Sequence, residues 1–86
     1  MLEEDEQEVR RIQAAIAPQL LAQVIEEFCD RAGADKDAWF TAFSARYLAP
    51  MADLKDKGRY AELSRVAAEG LVQDTHRAMH PNIRPR

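Results

Sequence analysis

Cysteine is nearly absent from this chain: Cys29 stands alone. No internal disulfide can form, and a reducing, cytoplasmic setting is expected. Glycine is scarce too, with only Gly33, Gly58 and Gly70. No Gly-rich phosphate loop, nucleophile elbow or HExxH pattern occurs, which leaves no enzyme motif. Val, Ile and Thr together number ten, and no run alternates apolar with polar residues, so a sheet is excluded on both composition and pattern. No apolar run approaches the ~18–20 residues that span a bilayer. The acidic start is unlike the basic start of a secretory signal, so no membrane contact is expected. Positive charge is in deficit, at 12 Lys and Arg against 15 Asp and Glu, net −3. General attraction to nucleic acid or to an anionic membrane is therefore unlooked for.

What the chain has is alanine. Fifteen of its 86 residues are Ala, and 47% are apolar, which leaves twenty-five larger apolar side chains for a core. Ala, Glu and Arg lose little side-chain freedom in a helix. The expectation is an all-α fold: one small bundle of three to five helices over residues 1–80, with a proline-containing extended tail over 81–86.

The helices are expected at about 2–16, 18–31, 36–49, 51–57 and 59–79. In the first, Val9, Ile12 and Ile16 make one narrow apolar stripe, which Leu2 extends. Glu3, Glu4, Asp5 and Glu6 favour its N-terminus through the helix dipole. Pro18 is expected to break the chain into a second helix, with one long helix kinked at Pro18 as the alternative; the rows Leu20–Val24–Phe28 and Leu21–Ile25–Cys29 form a wide apolar face closed by Gly33. Asp35 suits the cap of the third helix, which carries Trp39, Phe40, Phe43 and Tyr47 as the aromatic centre. Pro50 ends it, and a short helical piece runs on to Gly58. The last helix shows a stripe of Tyr60, Leu63, Ala67 and Leu71.

Candidate sites are few. His76 and His80 share a helix face and are weak candidates for a metal, but two ligands do not make a site, and no metal or other cofactor is expected. Cys29 reads as a small buried hydrophobe rather than a nucleophile. The acids around Gly33 fail the calcium-loop spacing, because Ala32, Ala34 and Thr41 fall where ligands belong.

By exclusion and by its narrow first stripe, the chain reads as a non-enzymatic protein–protein interaction module. It is expected to act on a surface of a larger protein or complex, as an adaptor, assembly factor, anti-activator or phage- or plasmid-encoded inhibitor. A second copy of the chain is a candidate partner, since small helical domains complete thin cores by pairing. The expected binding residues are Trp39, Phe40, Phe43 and Tyr47, the acidic Glu3, Glu4, Asp5 and Glu6, and the stripe Val9, Ile12 and Ile16; the Arg84–Arg86 tail ranks behind them. The alternatives are a nucleic-acid-associated regulator using the last helix, or an acidic decoy that occupies a basic groove.

Overall fold

The computed structural model describes residues 3–54 and 56–81. The chain is all-α, in the order α1 (Glu3–Ala32), α2 (Lys36–Leu48), a 3₁₀ segment (Ala49–Leu54) and α3 (Arg59–Met79). No strand occurs among the described residues. Leu2 and residues 82–86, and with them the expected tail, lie outside those described.

Pro18 does not break the helix. It sits buried within the 30 residues of α1. A proline inside a helix forfeits one hydrogen bond and costs about 3 kcal/mol. A break would forfeit more, because Ala17 offers no capping oxygen for the free N–H groups of a new helix. Good helix formers flank the site (Ala14, Ala15, Ala17, Leu20, Leu21 and Ala22). Pro18 also shares a surface hollow with Ala78 of α3. The helix ends at Gly33, whose φ of 67° is left-handed and free of strain only for glycine. The Ala34 N–H donates back to the Cys29 carbonyl at 2.9 Å, closing the last turn.

Asp35 caps α2, its carboxylate accepting from the Ala38 N–H at 2.9 Å. The helix stops at Leu48 rather than at 49, and the expected helical piece at 51–57 is a 3₁₀ stretch, Ala49–Leu54. Pro50, which has no N–H to give, favours this tighter winding at a helix end. Gly58, at φ 111°, redirects the chain into α3, which begins and ends where the pattern predicts.

The core is small. Ala22, Phe40 and Met79 are buried together, with Ile25, Trp39, Val72 and Ala78 against them. Cys29, Ala68 and Thr75 are also buried. The Thr75 hydroxyl donates to the Leu71 carbonyl at 2.8 Å. Lys36 bridges the junction of the three helices, reaching Glu26 Oε1 at 3.2 Å and the Met79 carbonyl at 3.4 Å.

Two of the apolar rows seen in the sequence lie outside the core. The row Leu20–Val24–Phe28 does not face inward; these side chains are 64%, 55% and 52% exposed. Along α3, Tyr60, Leu63, Ala67 and Leu71 are likewise exposed, and the inward positions are Ala68, Val72, Thr75 and Met79. The reason is steric. Much of the contact face is made of small side chains, with Pro18, Ala22 and Cys29 on α1 and Ala68, Thr75 and Ala78 on α3, so the backbones approach closely. The bulkier rows are left outside.

The molecule is open as a result. Its radius of gyration is 15.3 Å, against about 12 Å for a compact domain of this length. Its accessible surface is 7177 Å², against about 5,200 Å² for a folded monomer of this mass.

Candidate functional site

Every residue of α1 from Glu3 to Ile16 is exposed. That half of the helix projects from the junction as an arm. At 100° per residue, Val9, Ile12, Ile16, Leu20, Val24 and Phe28 fall on one side of the rod, and Pro18, Ala22 and Cys29 on the opposite, buried side. The six outer side chains are between 42% and 64% exposed. The expected stripe Val9–Ile12–Ile16 is therefore only the first half of a longer one. A break at Pro18 would separate it from Leu20, Val24 and Phe28. With the helix unbroken, the i+3 and i+4 spacing alone would have joined the two.

Beside this stripe lies an open apolar groove of about 140 Å³, bounded by Leu21, Ile25, Phe43, Tyr47 and Leu71. An aromatic ladder runs along its α2 side. Phe28 meets Trp39 at 5.4 Å, Trp39 stacks on Phe43 at 5.3 Å, and Phe43 stacks on Tyr47 at 6.3 Å. The four expected aromatics thus divide: Phe40 is buried, Trp39 half-buried, and Phe43 and Tyr47 open to solvent.

No protein-family model, curated protein or solved structure matches this chain. What the site can do has to be read from its own residues.

The charges are distributed unevenly. Glu3, Glu4, Asp5 and Glu6 are exposed on the first turn of α1. On α3, two of the cations that a nucleic-acid reading would use, Arg65 and Arg77, are held by acids. Arg65 lies between Glu62 and Glu69, the latter at 2.8 Å, and its pKa is raised, first by the hydrogen bond to Glu62. Arg77 pairs with Asp74 at 3.1 Å.

His76 and His80 do meet at the end of α3, with ring centroids 5.0 Å apart. Asp74, two residues from His76, is turned to Arg77, and Cys29 is buried. The third donor is Asp37, from the first turn of α2. Its Oδ1 lies 2.5 Å from His80 Nε2, and donor atoms of all three residues lie within 4.8 Å of one another. Asp37 is 43 positions from His80, so no local spacing could have announced it.

Proposed function

We propose that this protein is a helical protein–protein interaction module that works as a homodimer, each copy laying the outer face of α1 antiparallel along that of its twin. The observation that carries this reading is the exposed stripe Val9–Ile12–Ile16–Leu20–Val24–Phe28 on the outer side of α1, of which only Phe28, at its end, meets a ring of α2, that of Trp39. A contiguous apolar face of this extent marks an interaction surface. A narrow apolar seam on a helix suits another helix.

Charge supports a second copy as the occupant and antiparallel as the direction. A parallel pair would crowd Glu3, Glu4, Asp5, Glu6 and Glu8 against their own duplicates. An antiparallel pair centred between Pro18 and Gln19 brings Glu6 level with Arg31 of the twin, and Arg10 level with Glu27. The same centre sets Val9, at one end of the stripe, level with Phe28 at the other. Opposite charges and the two ends of the stripe thus reflect about one point, as a two-fold axis requires. The surface in excess of a compact monomer is roughly 2,000 Å² per copy, so about 4,000 Å² over two copies, which falls within the 2,000–5,000 Å² that obligate homodimers bury over both partners. The buried lone Cys29 suits a cytoplasmic setting. The paired module is the platform from which an adaptor, assembly factor, anti-activator or inhibitor would engage a larger protein.

Charge exchange tests the reading. Light scattering at tens of micromolar is expected to give a dimer for the natural chain. Arg10→Glu should weaken association by about tenfold or more, since it places like charges together twice in a symmetric pair. Adding Glu27→Arg should restore it. A strictly monomeric natural chain would refute the proposal, and a dimer indifferent to both changes would refute the register.

A further inference from the structure

We propose that Asp37, His76 and His80 form a binding site for a transition-metal ion of the zinc type, which staples the last turn of α3 to the first turn of α2. This inference is independent of the dimer, because the cluster lies on neither the outer face of α1 nor the groove.

The donor set selects the class of ion. Two imidazoles and one carboxylate suit zinc and its neighbours, whereas calcium and magnesium take oxygen ligands almost alone. The positions are held by structure that the site does not itself supply. His76 and His80 are one helical turn apart, so both rings rise from one face of α3. The His76 ring lies nearly parallel to that of the buried Phe40, 6.4 Å away at 19°. Asp37 is fixed in the first turn of α2 by the Asp35 cap before it. Lys36 ties that same turn to the Met79 carbonyl and to Glu26. The two backbones that carry the ligands are therefore already joined.

The distances are close to those a tetrahedral ion needs. Donor atoms around zinc stand about 3.4 Å apart, given bonds of about 2.0–2.1 Å. The three donors here fall within 4.8 Å. The direct contact between His80 and Asp37 at 2.5 Å must open by about 1 Å to admit an ion, a small side-chain rotation. Electrostatics favour a cation at this spot. The C-terminal end of α3 carries the negative pole of its dipole, and Asp37 neutralises part of the added charge. The neighbouring cations are each engaged by an acid, Lys36 by Glu26 and Arg77 by Asp74. Asp37 and His76 are exposed and His80 is half-buried. An ion can thus enter from solvent and complete its coordination with water.

The chain has only two histidines, so the imidazole region of its NMR spectrum reports on this cluster alone. Titrating the full chain with zinc sulfate is expected to move the ring signals of both histidines together, to saturate at one ion per chain, and to raise Tm relative to the protein in EDTA. Magnesium should do none of this. His76→Ala is expected to weaken zinc binding by more than about tenfold. Asp37→Asn should weaken it while leaving Tm in EDTA near that of the natural chain, and Cys29→Ser should leave zinc binding unchanged. The proposal is overturned if zinc at 100 µM leaves either imidazole unperturbed in the natural chain. It is overturned equally if zinc affinity survives His76→Ala. Because the first readout needs no variant, a misfolded mutant cannot leave the question open.

Discussion

Single residues in this chain are poised near local optima that they miss by one atom or one bond. Gly70 sits within α3, and a Cβ built there meets nothing within 4 Å. Its backbone is ordinary helix, so the flexibility of glycine serves no purpose at this position and costs about 1 kcal/mol relative to Ala. Gly70→Ala is expected to raise Tm by about 4–8 °C, read by thermal circular dichroism; a fall would mean that the absent methyl makes room for something not seen here. Ser44 is the counterpart in the interior. It is buried, and its Oγ finds no hydrogen-bond partner among the described residues. A hydroxyl stripped of water without a new partner costs about 1–3 kcal/mol, and Ala is also the better helix former. Ser44→Ala should stabilise by about 1 kcal/mol in urea unfolding. At this scale the sequence was readable where chemistry is local. The Asp35 cap and the closing Gly33 follow from residue type alone. Asp37 beside His80 does not, because two helices must fold back before those atoms meet.

At the scale of elements, what the sequence conveys and what it conceals both trace to Pro18. Helical class, the start and end of α3 and the start of α2 follow from composition and caps. The joining of 2–16 to 18–31 does not, because the cost of a buried proline has to be set against the cost of an uncapped break, and only tertiary contact decides between them. Continuity through Pro18 decides which face of α1 is core. As two helices, each needed its own apolar stripe turned inward; as one rod, the small-residue side packs and the large-residue side is free. The arm up to Ile16 is then exposed along its length, and only Ala14 and Ala15 border a hollow with α3 residues Asp74, Arg77 and Ala78. Half a rod of some fourteen residues is marginal in water by itself. Amide hydrogen exchange from Glu8 to Ile16 is therefore expected to be slow in the dimer. It should accelerate by orders of magnitude in Ile16→Glu, while exchange around Ala22 and Met79 changes little. Equal protection in both proteins would mean that the arm is stable unaided.

For the whole molecule, an open shape and a thin core set the terms of stability. Buried large side chains are few, with Phe40 and Met79 the principal ones, and a chain of this size has little margin even when compact. Exposed pairs such as Arg11–Glu8 add little. If pairing of α1 supplies the missing burial, unfolding and dissociation become a single step, and stability depends on protein concentration. Each tenfold dilution then removes about 1.4 kcal/mol from the dimer, which corresponds to a Tm lower by about 3–6 °C for a folding unit of this combined size. Thermal scans from about 1 to 100 µM should show that slope for the natural chain, and Ile16→Glu should unfold at a lower temperature that no longer depends on concentration. A constant Tm across the range would show that one copy stands alone, and the long apolar face of α1 would then need a different occupant.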